Sequence, residues 1–346
     1  MEVHEFDTMI PTDLVNIGNQ SLTRTYTHTF PSRHLNMQLL RTFESEPLSP
    51  SRIAEQFVET LRLDGAGNEV SVYGLDTSNI DLGETEQGIL CAIRGCVVWR
   101  DTKEYQYSRH GPFIFHITEQ NKQYLFDSLR QTCFNQHESI EAPPLENMGD
   151  HIRNILERWL QKQLCESCQN SLLLWDGSLM SPSVNRPITP LMTLLNIARR
   201  ERNVILAFSK KTSLTAMGHR MNTLVNDKDV PCLLDIDNII QLQYGKRLRF
   251  LGKVYIAKFS RGTLSFRLDL DRRLSQCEGR FAAEDLLRSD LIVNSYPESL
   301  RLAHILSRFS AGEVIAMKRY ITLHHSLRIV PQPDVRQILF GPYGGA

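Results

Sequence analysis

Apolar positions along this chain fall into two recurring patterns, short covered runs and stripes at helical spacing, and their order predicts the architecture. EVSVYGLD, with Val70 and Val72 alternating against polar neighbours, predicts a strand that ends near Asp76. GILCAIRGCVVWRD over 88–101 and GPFIFHIT over 111–118 predict two more, and three strands adjacent in sequence imply an antiparallel meander. EQNKQYLFDSLRQTCF then reads as a helix and FNQHESIEAPPLENMGD as a polar linker. DHIRNILERWLQKQLCESC follows as a second helix, with a stripe at Ile152, Ile155, Leu156, Trp159, Leu160 and Leu164. SLLLWD is a short strand, ITPLMTLLNIARRER a helix and NVILAF another strand, the alternation of an α/β layer structure. FRLDLD, a helix around AAEDLL, the short run DLIVNSYP and a helix from Pro297 through Phe309 complete the core. Upstream, the Ser49-Pro50 start signal predicts a helix over Ser51–Leu63. The expected fold class is α/β, one mixed central sheet flanked by helices. Residues 1–66 form an N-terminal cap, 67–312 the core, and 313–346 a C-terminal extension whose last segment, RQILFGPYGGA, reads as a frayed end or a docking peptide.

Composition changes this picture little. With 346 residues, 41% of them hydrophobic, the chain can bury a large core. No run approaches the ~18 apolar residues of a membrane span, and MEVHEFDTMIPTDL lacks the layout of a secretion signal, so a soluble, cytoplasmic protein without membrane contact is expected. Seven scattered cysteines suit reduced thiols. Formal net charge is zero, from 39 basic and 39 acidic residues, which by itself gives no reason to expect nucleic acid. The local distribution differs: KRLRFLGKVYIAKFSR carries Lys246, Arg247, Arg249, Lys253, Lys258 and Arg261 with no acid, interleaved with Phe250, Tyr255 and Phe259. Such a stripe is either a path for DNA phosphates with rings that stack bases, or the solvated face of an amphipathic strand pair.

Candidate chemistry begins where SLLLWDGSLM stops on a carboxylate. Asp176 followed by Gly-Ser is either a turn residue or an acid held rigidly at a strand end. VSVYGLDTSN ends in the same way at Asp76. Ligands of open α/β sheets sit at strand ends near the switch point, so the two acids can converge there. Convergent acids bind hard divalent cations, and paired cations stabilise the attacking and leaving oxygens of phosphodiester hydrolysis. A third acid is required, and Glu157 borders the apolar stripe of the preceding helix; the plain alternative is a surface acid bonding along that helix. Lys210 is suited to offset charge on phosphorus or to pair at the surface. His304 stands eight residues after Tyr296, placed to ligate, orient water or move a proton, or simply to pack. Cys165-Glu-Ser-Cys168 has no second half-site for zinc and reads as a helix end. His324-His325 shows no ligand spacing, no P-loop occurs, and neither Cys133 nor Cys277 is tied to a base.

GLDTSN, ILERWL, LLLWDGSL, ILAFSKKTS and YPESLRLAH, in this order between about residues 70 and 310, resemble the NurA family of nucleases. The resemblance implies an RNase H-like fold and a metal-dependent deoxyribonuclease in which Asp76, Glu157 and Asp176, with His304, bind two Mn²⁺ or Mg²⁺ ions. Lys210 or its neighbour Lys211 matches the family's strand-end lysine, and Tyr296 and His304 its C-terminal pair. It further implies a homodimer that works with the hexameric ATPase HerA on DNA ends, in repair or in defence against foreign DNA. The first motif reads Asp-Thr-Ser where Asp-Gly-Ser is commoner, which keeps open an inactive DNA-binding or regulatory subunit of the same motor.

Overall fold

The computed structural model describes residues 12–23, 58–101, 104–181, 188–210, 215–216, 219–220, 224–225 and 228–330. A helix, α1 (Thr12–Thr23), and a short strand, β1 (Glu59–Arg62), precede the predicted meander of β2 (Val72–Glu84), β3 (Gly88–Asp101) and β4 (Glu104–Thr118). Next come α2 (Lys122–Phe134), α3 (Met148–Ser167), β5 (Leu172–Asp176), β6 (Met180–Ser181), α4 (Thr189–Arg200) and β7 (Val204–Ser209). The hairpin β8 (Thr215–Ala216) and β9 (His219–Arg220) leads to β10 (Cys232–Asp235), α5 (Asp237–Tyr244), β11 (Arg249–Phe250), β12 (Gly252–Lys258) and β13 (Phe266–Asp271). The last elements are α6 (Gln276–Ser289), β14 (Ile292–Val293), β15 (Tyr296–Pro297), α7 (Glu298–Ser307) and α8 (Ala311–His324).

Nine strands form one mixed sheet in the order β1-β10-β12-β13-β7-β5-β2-β3-β4. β2, β3 and β4 are antiparallel, whereas β2 pairs with β5, and β5 with β7, in parallel. This is the RNase H-like arrangement implied by the motifs, extended beyond β7 by four antiparallel strands. Side chains alternate across the sheet. Leu75, Leu173, Trp175, Ile205 and Ala207 pack with Ile152, Leu156, Trp159 and Leu194 from α3 and α4 on one face. Val72, Leu172, Leu174, Leu206 and Phe208 pack with Ala283, Leu286 and Leu300 from α6 and α7 on the other. Among the described residues no helix is long and apolar enough to cross a membrane.

Two expectations fail for backbone reasons. β2 does not end near Asp76 but continues to Glu84, because its other edge pairs with β3 along most of its length, including Asp76 with Cys96. Of the helix expected over Ser51–Leu63, residues 51–57 lie outside the described residues, and Glu59–Arg62 is an edge strand paired with Cys232–Asp235; tertiary pairing overrides a short helical pattern. Packing also runs across the boundaries drawn at 66 and 313. Leu14 and Ile17 of α1 join the core beneath α3, and Met317 and Ile321 of α8 pack on Leu82, Leu90 and Ala92. The segment RQILFGPYGGA lies outside the described residues.

Two contacts hold α7 and α8 against the sheet. At Gly74 a Cβ would come within 2.6 Å of the Ser299 carbonyl group, so α7 lies backbone-to-backbone on β2 only because the residue is glycine. Arg94, buried on β3, donates to Glu313 of α8 at 2.7 Å and to the Arg308 carbonyl at 3.0 Å. The Arg94 guanidinium, helped by the Ser310 capping box, lowers the Glu313 carboxyl from its ordinary 4.5 to about 2.

Gly74→Ala is therefore expected to cost about 2 kcal/mol of stability, since α7 must move off β2; denaturant titration measures it. A depressed carboxylate contributes stability above its unfolded-state pKa and loses it as pH falls toward the folded-state value. Thermal unfolding of wild type and Glu313→Gln should thus differ most above pH 4.5 and converge as pH approaches about 2.

Candidate active site

The site is set by strand register. Parallel pairing runs from Val72↔Leu172 to Leu75↔Trp175, so the next residues, Asp76 and Asp176, stand level on neighbouring strands. Alternation puts both on the α7 face, since Leu75 and Trp175 belong to the core beneath α3. β7 lies beside β5 in the same sense, with Asp176 opposite Phe208, and Lys210 follows two residues later on that face. Beyond Asp176 the chain turns away through Gly177, whose φ of 138° is open only to glycine. The turn is pinned: Gly177 N–H donates to the Phe208 carbonyl at 2.8 Å and Leu179 N–H to buried Asp269 at 2.9 Å.

From above the sheet, α7 supplies the third ligand. Its last turn carries His304, whose Nδ1 lies 2.8 Å from Asp76 Oδ2. A carboxylate has no proton to give, so Nδ1–H is the donor and Nε2 is left for other work. Ser307, three residues on and on the same helix face, donates to the same Oδ2 at 3.0 Å. Lys210 Nζ donates to Asp176 Oδ2 at 2.7 Å. The Oδ1 atoms of both aspartates have no protein donor among the described residues. Asp76, Asp176 and His304 each offer a ligand atom within 4.8 Å of the others, the one such group among the described residues.

Tyr296 enters through a tight hairpin. Asn294 and Ser295 have φ of 53° and 65°, the left-handed pair that joins two strands through a two-residue turn. The ring is 6% exposed, packed edge-on against Phe208 and Phe266, with Lys210 Nζ 5.5 Å from its centroid. Among the described residues its buried hydroxyl has no hydrogen-bond partner. Burial, then the charges of Asp176 and Asp76, push the phenol well above its ordinary range, so it remains a donor.

Glu157 is not brought into the ligand group. It approaches from the α3 face, where Thr77 points, and its carboxylate is already engaged by protein donors. Oε2 accepts from Arg153 at 3.1 Å and Thr77 at 3.4 Å, and Oε1 from Gln161 at 3.3 Å. Burial raises its pKa first; Arg158 and Arg153 oppose this, while Asp76 and Asp176 add to it, so Glu157 does feel the cluster.

The basic stripe does not keep its aromatic partners. Phe250, Tyr255 and Phe259 are buried in the core and cannot stack bases: Tyr255 lies on β12, an interior strand covered on both faces, and Phe250 and Phe259, just before and after that strand, pack into the clusters on either side of it. Lys258 is 6% exposed with its amine on the Val225 carbonyl, which removes it from any DNA path. Lys246, Arg247, Arg249 and Arg261 are exposed and Lys253 is half-buried. Lys211 lies outside the described residues. Cys165 and Cys168 do close a helix: both are buried, Asn203 Nδ2 donates to their carbonyls, and burial pushes the Cys168 thiol up to about 12. Sequence reading missed Ser307, Thr77 and Arg153. Ser307 was findable from its three-residue offset to His304, but the other two carry no signal without the fold.

The NurA domain, as a family profile, matches residues 70–309, a span that contains all six proposed catalytic positions. No curated protein matches the chain. Among solved structures, the NurA nuclease from Sulfolobus solfataricus is similar at 15% identity and a TM-score of 0.49, covering 81% of this chain and 91% of that one. A NurA bound to dAMP and manganese is similar at 10% identity and a TM-score of 0.34, over 75% of this chain and 88% of that one. With well over half its length matched by the profile, the chain belongs to the NurA family of nucleases.

Proposed function

We propose that this chain hydrolyses DNA phosphodiester bonds with bound Mn²⁺ or Mg²⁺ at Asp76, Asp176 and His304. The observation that carries this reading is the grouping of two carboxylates and an imidazole within 4.8 Å, beside a lysine, in a chain of this family. Oxygen and nitrogen donors suit Mn²⁺ and, for the carboxylates, Mg²⁺, and two undonated Oδ1 atoms leave acceptor capacity for a cation. Divalent ions, when bound, would supply Lewis-acid polarisation of the phosphate and lower the pKa of water, and a two-ion site would draw on Glu157 as well.

The protein's own groups do the rest. As water oxygen adds to phosphorus and the P–O ester bond breaks, charge grows on the phosphoryl oxygens, and the leaving oxygen needs a proton. Lys210 sits where it offsets that charge. The Tyr296 hydroxyl, buried and unpartnered, supplies a preorganised donor to a phosphate oxygen. Asp76 and Ser307 hold the His304 ring so that Nε2 can ligate or move a proton. The same reading has the chain working as a homodimer with a HerA-type hexameric ATPase in DNA end processing. Exposed Ile315, Tyr320 and Leu323 on α8 support a subunit contact. The engagement of Glu157 by Arg153 favours, as a second reading, a DNA-binding subunit that does not cut.

Asp176→Asn should reduce Mn²⁺-dependent cleavage of DNA by about a thousandfold and weaken Mn²⁺ binding in calorimetry, with circular dichroism unchanged; full activity in that variant would overturn the assignment. Lys210→Met should lower kcat by roughly a hundredfold, seen in single-turnover kinetics. If the wild-type protein binds DNA but cuts neither single nor double strands with Mn²⁺ or Mg²⁺, alone or with a HerA-type partner, the second reading replaces the first.

A further inference from the structure

Arg153 is the α3 cation that bonds Glu157 directly, and no role in the reaction has been given to it. It stands one turn before Glu157, with Nη1 shared between Glu157 Oε2 at 3.1 Å and Thr77 Oγ1 at 3.4 Å. Its other terminal nitrogen donates to Asn154 at 2.7 Å. Thr77 is the residue next to Asp76, so this contact tethers the guanidinium beside the carboxylate cluster. The side chain is 27% exposed, enough to be reached from solvent. Oε2 already accepts from both Arg153 and Thr77, so a cation binding at that oxygen must displace one of them, and the guanidinium is the one whose charge it also repels. Gln161, the donor to Oε1, is buried and is in turn held by Arg158 at 2.8 Å, so it is the less movable donor.

An ion taking Oε2 of Glu157 and the arginine leaving it are therefore one exchange. A guanidinium released at the rim, still tethered by its stem, has a planar fork matched to a phosphodiester. We propose that Arg153 is a substrate-phosphate residue held in reserve: paired with Glu157 while that carboxylate is unmetallated, and handed to a DNA phosphate when a divalent cation takes Glu157. This rests on the cation site proposed above, extended to Glu157. It accounts for two observations together, the absence of Glu157 from the ligand group and the presence of a partly exposed arginine on its Oε2.

The test is DNA binding by the full chain, read by fluorescence anisotropy with a labelled single-stranded oligonucleotide at fixed salt, in EDTA and in Ca²⁺, a divalent probe chosen to favour binding over cleavage. Arg153→Gln should bind roughly tenfold more weakly than wild type in Ca²⁺, with the salt slope reduced by about one, yet equal wild type in EDTA. Arg153→Lys should recover part of the loss. Mn²⁺ titration by calorimetry should show tighter binding to Arg153→Gln, because the competitor for Glu157 is gone. Glu157→Gln should raise DNA affinity in EDTA, and adding Arg153→Gln should cancel that gain. Equal affinity of wild type and Arg153→Gln in Ca²⁺, or the same loss in EDTA as in Ca²⁺, overturns the proposal. None of these readouts uses cleavage, so that result leaves the nuclease reading standing, and full activity in Asp176→Asn sinks the latter separately.

Discussion

Parallel register between β2 and β5 places two aspartates level on adjacent strands, and every other feature of the site answers that juxtaposition. Two carboxylates with oxygens within 4.8 Å of each other repel by about 3 kcal/mol at the effective dielectric of a protein rim. The structure opposes this with a donor for each. Lys210 takes Asp176, while His304 and Ser307 take Asp76. Lys210 comes from the end of β7 and His304 and Ser307 from α7, both distant in sequence from the strand whose carboxylate they meet, so the charge pair is tolerable only in the assembled fold.

The elements that deliver those donors are fixed by backbone contacts more than by side-chain fit. Gly74 lets α7 lie on β2 two residues from Asp76, and the length of α7 then sets His304 over the carboxylate. Asp290, buried behind the helix, accepts from Ser299 N–H at 3.0 Å and from the Tyr105 hydroxyl at 2.5 Å, capping a helix start whose N-cap proline has no side-chain donor or acceptor. On the far side, the buried Arg267–Asp269 pair anchors the turn after Asp176. Such pairs are weak contributors to stability but strict about geometry, which is what a metal or phosphate site requires.

Burial separates the charged groups by task. Tyr296 is desolvated and kept neutral, whereas Lys210 and His304 stay accessible, His304 with 39% of its side chain exposed against 11% for Asp76. Glu157 occupies the middle ground, shielded from water, pushed up by burial and the two aspartates, and held by Arg153. The α3 face thus supplies adjustable charge to a cluster whose fixed charge comes from the opposite face of the sheet.

Much of this was legible beforehand. Alternation in EVSVYGLD and the covered apolar run of SLLLWD marked their strands and the 3.6-residue stripe marked α3, because such patterns reflect local geometry and short-range burial, whereas Asp76, Asp176, Lys210, Tyr296 and His304 were singled out together by ordered motifs that resemble one family. The stripe from Lys246 to Arg261 misled for the same reason: linear charge density says nothing about which strand ends up interior, and β12 is covered on both faces. Sequence by itself determined most of the core strands and helices and the chemical inventory, since each depends on neighbours a few residues away. Only the tertiary structure decided that β2 runs on past Asp76, that Glu157 meets Arg153 before it meets the aspartates, and that a serine on α7 completes the histidine's carboxylate. Those outcomes depend on register between strands distant in sequence and on the approach of one backbone to another, which no local pattern encodes.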